Sequence, residues 1–411
     1  MRRTLLVLAL PLFLIACGGG GGGGDDDVIV VTTLDDAGDG SLRAALAIVP
    51  ADGTIVFEEG LEGTITLTSG PLSVVRNVII QGPGAARIAV SGDNSVRVFD
   101  LELDLAVAIT DLTIRDGSAN SGGGMRAPRT QLLLRRVVFD NCLSTNFGRG
   151  GGLHALECVA TLEDCTFTNC RAFNGGGFQF DQGINTMRRC TIKGCSTTGN
   201  AGGGGAMSSG GELHCLNCTF SGNHATGSDS NAGGFSLASS SAGGPTSATM
   251  TACTFTLNSA TGGGGGIATF EGTEDDPDTG DPVAVPVLLT IKNSIVAANT
   301  AAGGAPDIDN GGSIISNGYN VIGIGEGSGL FDGVNNDVVG SLSTPLDPGL
   351  LPLAQNGGDT ETHLPTSTSP AVDLVPIADF TNRLGQPVNN DQRGVLRPFG
   401  GACDAGSVER D

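Results

Sequence analysis

Residues 165–180 read CTFTNCRAFNGGGFQF, and close copies follow: CTIKGCSTTGNAGGGGAMSS from 190, CTFSGNHATGSDSNAGGFSL from 218 and CTFTLNSATGGGGGIATF from 253. Each copy opens on a cysteine-led run, crosses a gap and ends in a glycine cluster. Strand side chains alternate, so Cys165 and Phe167 share one face while Thr166 and Thr168 share the other. The residues at the strand centres are Ile114, Phe139, Phe167, Ile192, Phe220, Phe255 and Ile295, at steps of 25, 28, 25, 28, 35 and 40 residues. Short alternating strands at such a period predict a solenoid, each repeat burying its apolar side only against its neighbours. From the last glycine of four clusters (Gly124, Gly152, Gly177, Gly205) to the next centre is 15 residues, while the return path runs from 10 to 14. One half of each coil is fixed and the other tolerates insertion, as expected if strands stack while turns protrude.

Stacking aligns like with like. One predicted column is Val137, Cys165, Cys190, Cys218, Cys253 and Asn293; another is Cys142, Cys170, Cys195, Asn223 and Asn258. Small, weakly polar groups suit a tight interior, and asparagines can hydrogen-bond along a column. Glycines fall where the backbone bends with φ > 0 or passes close to its neighbour. The reading is one rung of a parallel β-helix of about ten coils. A short helix from Ser41, its N-cap, to Val49, ended by Pro50, is expected to cover the first coil, and residues 341–411 the other end.

Ten cysteines besides Cys17 leave two states open, stacked free thiols or inter-rung disulfides. Cys215 and Cys218 fall on opposite faces by simple alternation, which argues against a zinc or redox pair.

The composition agrees with a glycine-punctuated β protein: 68 Gly, 16 Phe, one Tyr, no Trp and a formal charge of -22. That charge disfavours nucleic acid, anionic membrane surfaces and polyanionic substrates. The N-terminus MRRTLLVLALPLFLIAC carries two arginines and an apolar run ending at Cys17, too short for a stop-transfer helix. Leu14-Ile15-Ala16-Cys17 resembles the bacterial lipobox, which implies a signal peptide over residues 1–16 and acylation of Cys17. Seven glycines and three aspartates then make a flexible tether up to residue 27. More than one acyl chain gives a stable anchor, so the expected address is the bacterial envelope, at the outer membrane or cell surface.

Two family resemblances follow. The motifs GGGL, GGGF and GGGAM, with Phe220-x-x-Asn223 and Phe255-x-x-Asn258, resemble the repeats of polymorphic outer membrane proteins; Cys142 and Cys170 depart from the asparagine position. VTTLDDAGDGSLRAALA (31–47), LDPGLLPLAQNGGDTETHLPTSTSPAVDL (346–374) and DQRGVLRPFGGACDAGSVE (391–409) resemble right-handed β-helix proteins carrying a choice-of-anchor Q domain. These imply an all-β, single-stranded right-handed parallel β-helix of the pectate-lyase-like kind over residues 28–340, with a loop-rich cap over 341–411.

No residue set announces catalysis. Asp275, Asp276, Asp278 and Asp281 in the acidic insertion EGTEDDPDTGD offer oxygens for a structural Ca²⁺, against the plainer reading of a solvated loop. His154, His214, His224 and His363 show no nucleophile partner, so surface or capping roles are expected. Asp391, Gln392 and Arg393 read as a structural polar network. Function therefore reads as non-catalytic: a surface-anchored, monomeric rod displaying turns for adhesion, or for binding an envelope protein or a glycan. The alternative is a polysaccharide-degrading glycoside hydrolase or lyase using carboxylates on one face, with Asp164 and Asp181 as candidates. Scarcity of Trp and Tyr, which commonly grip sugar rings, weighs against it, as does the acidic surface.

Overall fold

The computed structural model describes residues 27–199, 202–241, 243–275 and 281–410. Within them the chain winds as an all-β, right-handed parallel β-helix whose coils cross four sheets in a fixed order. The first face is an eleven-stranded sheet from Val28–Val31 to Ser313–Ser316; the second, also eleven-stranded, runs from Gly63–Thr66 to Val338–Val339. The third is a narrow sheet of seven two-residue strands, from Ser118–Ala119 to Thr300–Ala301, and the fourth holds nine strands from Leu72–Val74 to Ile308–Gly311.

Successive rungs pair in register, so each residue type forms a column. Ile114, Phe139, Phe167, Ile192, Phe220 and Phe255 face one another along the second face, all fully buried. Phe139 stacks on Phe167 with ring centres 4.7 Å apart, and Phe220 on Phe255 at 4.4 Å. Beyond Phe255 the predicted column slips by one residue. Val296, not Ile295, continues it, and Ser294, not Asn293, follows Cys253. Ile295 points outward yet is buried, packed against Ala371, Val375 and Phe380 of the C-terminal segment. Both faces of that strand are thus apolar, and alternation gives no register.

The Cys142 column is as expected and longer. Asn223 Nδ2 donates to Asn258 Oδ1 at 2.9 Å, Asn258 Nδ2 to Asn299 Oδ1 at 2.9 Å, and Asn299 Nδ2 to Asp307 Oδ1 at 2.8 Å. Unpaired buried amides would be costly, so each residue satisfies the next along the axis. All ten cysteines among the described residues are free and buried. Cys215 and Cys218 both point inward, contrary to simple alternation, because Asn217 between them adopts φ 53° and turns the corner.

The final glycines of each cluster are fixed by close approach. A Cβ on Gly124, Gly152 or Gly177 would lie 2.6, 2.7 or 2.5 Å from the carbonyl oxygen of the matching glycine one rung on. In that column Gly177 is followed by Gly204, since Gly205 already pairs with Phe178 in the strand. The constant interval therefore holds only for the first three clusters.

The helix Leu42–Ile48 begins at Ser41, whose side chain accepts from the Ala44 amide, and buries Leu42, Ala45 and Leu46 on the first coil. Residues 341–410, expected over the far end, instead run back along the second face. Thr191 Oγ1 donates to the Glu361 carbonyl at 2.6 Å, Thr219 Oγ1 to Gln392 Oε1 at 2.7 Å, and the Ser407 amide to Thr254 Oγ1 at 3.0 Å. Outward threonines offer small, hydrogen-bonding ground for a loop-rich segment. The chain's only two lysines both fasten it, Lys193 to Glu361 and Lys292 to Thr381.

Candidate functional site

On the fourth face, one outward column reads Arg126, His154, Gln179, Ala206, Ser236 and Ala268, and the column beside it includes Leu156, Asp181 and Ser208. Register brings His154 and Asp181 from neighbouring rungs to 2.9 Å, between Nε2 and Oδ2. Arg149 donates to the same Oδ2 at 2.7 Å, while Gln179 Nε2 and Ser208 Oγ donate to Oδ1 at 2.8 and 2.6 Å. Ser121, one rung before His154, places Oγ 2.6 Å from Nδ1 of that ring and 3.2 Å from the Arg149 carbonyl oxygen.

Burial pushes the Asp181 carboxyl up, but hydrogen bonds from His154 and Ser208 and the charge on Arg149 outweigh it. The group is held well below the usual carboxylate range. An ionised carboxylate only accepts, so His154 donates to Asp181 from Nε2–H, with Nδ1 facing the Ser121 hydroxyl.

Beside this cluster opens a cleft of about 610 Å³, reached by Gln179 and Ser208 at one side and by Ser228, Asp229 and Asn231 of a turn at the other. Its wall is hydroxyl, amide and carboxylate over an Ala206, Ser236 and Ala238 floor, with Phe270 at the edge. The turn is tied down: Ser230 lies buried with its hydroxyl bonded to the Gly199 carbonyl, and Asn231 Oδ1 accepts from the Gly263 amide.

The residues singled out by sequence scatter. Asp164 sits at the corner between the first and second faces with φ 55°, clasped at 2.6 and 2.9 Å by Arg189, as Asp111 is by Arg136 one coil pair earlier. It is a rung of a corner charge ladder and does not join Asp181, which lies on the fourth face. Asp275 ends the first strand of the hairpin Gly272–Asp275 with Pro282–Val285, and Asp281 precedes the second; Asp276 and Asp278 lie outside the described residues. No group of three or more metal-ligating side chains occurs among the described residues. Cys17, and residues 1–16 expected to be a signal peptide, also lie outside them. Gln392 bridges Thr191, Thr219 and Thr360, and Asp391 holds Arg393 at 2.9 Å, inside the C-terminal segment.

His154, expected to be a surface or capping residue, has the partners that sequence reading missed. The signal lay in the glycine columns: aligned on Gly124, Gly152 and Gly177, His154 and Gln179 stand two residues after the glycine, Asp181 four after and Ser121 three before.

A right-handed parallel solenoid of stacked, in-register columns defines the class of protein. A family model described as right handed beta helix region matches residues 63–275, and the chain belongs to that family. Among curated proteins none matches significantly. Among solved structures, the pectate lyase Pel9A is similar at 12% identity and a TM-score of 0.42, covering 90% of this chain and 91% of that one. The product of ORF18 of Geobacillus virus E2 shares 12% identity at a TM-score of 0.36, over 70% of this chain and 61% of that one. The catalytic unit of an α-1,3-glucanase from Streptomyces thermodiastaticus strain HF3-3 shares 15% at 0.20, over 74% and 70%. At these identities the likeness concerns the fold alone.

Proposed function

We propose that the protein is an envelope-anchored β-helix that binds a neutral glycan along its fourth face and leaves the glycosidic bonds intact. The observation that carries this reading is the cleft: hydroxyls, amides and Asp229 line a trough suited to a hydroxyl-rich ligand. The formal charge of -22 turns polyanions away. Glycosidic hydrolysis needs a carboxylic acid that protonates the leaving oxygen. Asp181, held ionised and given four donors, is unsuited to that task, and Asp164 is spent on Arg189. Lipidation of Cys17 and the glycine tether would hold the rod at the outer membrane or cell surface as a monomer.

A glycan array, followed by calorimetry and by analysis of released reducing ends, tests the reading. Retention of a neutral glycan without new reducing ends is the expected outcome; retention only of an envelope protein, or release of sugar ends, would overturn it. Cys17→Ser should free the protein from membranes, and unchanged partition would refute the anchor.

A further inference from the structure

We propose that Ser121, His154 and Asp181 form a nucleophilic relay that hydrolyses a carboxylic ester, of the kind an O-acylated sugar carries. The sugar half of this assignment rests on the glycan reading; the ester half does not. Three neighbouring rungs each contribute one member, and each is placed by the register that builds the fold. The Ser121 hydroxyl has two acceptors in reach, the Arg149 carbonyl at 3.2 Å and His154 Nδ1 at 2.6 Å, and the nearer is the ring. Asp181 accepts from Nε2–H at 2.9 Å, which leaves Nδ1 as the base facing Ser121 Oγ at 2.6 Å. The two ring nitrogens exchange the places they hold in serine proteases, and the roles follow geometry, not atom name. Asp181 is a positioning residue: it fixes the tautomer and stabilises the imidazolium, and Gln179 and Ser208 lock its other oxygen.

Ser121 is half-buried, at the edge of the open face, just before the glycine cluster that turns the chain onto that face. Arg149 brackets the pair, its carbonyl oxygen 3.2 Å from Ser121 Oγ and its half-exposed guanidinium 2.7 Å from Asp181. A merely structural role explains this arrangement poorly. Arg149, Gln179 and Ser208 already satisfy the buried Asp181, whereas Ser121 and His154 stay partly exposed.

The step balances without a cofactor. Ser121 Oγ bonds to the acyl carbon as its proton passes to His154 Nδ1. The ester C–O bond then breaks, and the departing alcohol oxygen takes that proton. Water attacks the acyl-serine, again giving a proton to Nδ1, which returns it to Oγ as the carboxylic acid leaves.

The test uses the full chain, a fluorophosphonate probe and p-nitrophenyl acetate. Mass spectrometry should find one adduct, on Ser121, absent in Ser121→Ala. His154→Gln should lower turnover about a hundredfold or more, and Asp181→Asn should lower kcat while KM stays unchanged. Thermal melting checks that each variant folds; where His154→Gln does not, the adduct on the wild type and its loss in Ser121→Ala decide. No adduct, an adduct elsewhere, or wild-type hydrolysis by Ser121→Ala overturns the relay. Wild-type protein that retains a glycan but gives no adduct breaks the relay alone; an adduct without glycan retention breaks the glycan reading alone.

Discussion

The second and fourth faces are built by the same rule and finished in opposite ways. Both stack outward residues into in-register columns. On the second, Thr191, Thr219 and Thr254 turn their hydroxyls to a segment of the same chain, and the column is buried. On the fourth, His154 and Arg149 meet Asp181 and leave a cleft beside it. Covering the second face with a tail leaves other outward columns to meet a ligand, and the cleft lies on the fourth face. On the second face the hydroxyls of Thr191 and Thr219 and the ammonium of Lys193 all find partners in the tail; on the fourth, Arg149 and His154 find theirs in Asp181.

The sharpest way to break this contrast is to lift the tail. Arg397 is fully buried, donating to the carbonyls of Asp404 and Gly406 and to Glu409 at 2.7, 2.8 and 3.1 Å, with its guanidinium 4.5 Å over the Phe380 ring. Removing one partner of a buried pair strands the other charge, so Arg397→Ala should cost about 3–5 kcal/mol. Denaturant unfolding reads the loss, and limited proteolysis should cut first within 341–410. If stability falls by no more than about 0.5 kcal/mol, the usual range for surface changes, the covering segment is not held as described.

Acid should separate the two faces in order. On the covered face, His363 donates from Nδ1 to the Leu351 carbonyl and accepts at Nε2 from Ser221, and burial pushes its pKa below the ordinary histidine value. A histidine held neutral stabilises the fold above its unfolded pKa, about 6.5, and that stabilisation is lost as pH falls through the lower folded value. Asp181 has the same sign in a lower window. Its contribution is present above the unfolded carboxylate value, about 3.9, and is lost only as pH drops below it. Melting temperature should therefore step down first below about pH 6.5, with this step smaller in His363→Gln, which leaves the similarly lowered His214, and again below about pH 4, with that step smaller in Asp181→Asn, which leaves the similarly lowered Asp36. A single step, or the reverse assignment, would show that the faces are not independent.

How much of this could be read beforehand follows from which contacts are local to the repeat. Phe167 and Phe220 declared the interior because each sits between hydroxyl residues, Thr166 and Thr168 or Thr219 and Ser221. Ile295 misled, since the residues that bury its outer side lie at 371–405, far along the chain. Cys215 and Cys218 misled because one left-handed residue, Asn217, resets the alternation between them; asparagine adopts that conformation more readily than most residues. The Asp181 network was legible only in part. Asp181 was noticed as a carboxylate, whereas its partners Ser121, Arg149 and His154 come from other rungs and emerge only once the glycine columns give the register.

The smallest expected effect on stability carries the clearest functional contrast. Ser228 and Asp229 line the cleft from the tip of a turn, where Asp229 adopts φ 54° and is exposed. A Ser228→Gly, Asp229→Gly exchange removes two hydrogen-bonding groups from the cleft and suits the left-handed backbone at 229. It also leaves in place the bonds that anchor the turn, from Ser230 to the Gly199 carbonyl and from Asn231 to the Gly263 amide. Unfolding free energy should change by no more than about 0.5 kcal/mol, the usual range for surface positions. Glycan retention should nevertheless drop tenfold or more, since that corresponds to only about 1.4 kcal/mol of lost binding. An equally mild exchange on the second face, Thr166→Ala, should change neither quantity, because that threonine lines no cleft and lies one rung before the tail's first threonine contact. If the turn exchange leaves retention intact, the ligand is gripped elsewhere on the rod, and the open fourth face loses its claim to be the working one.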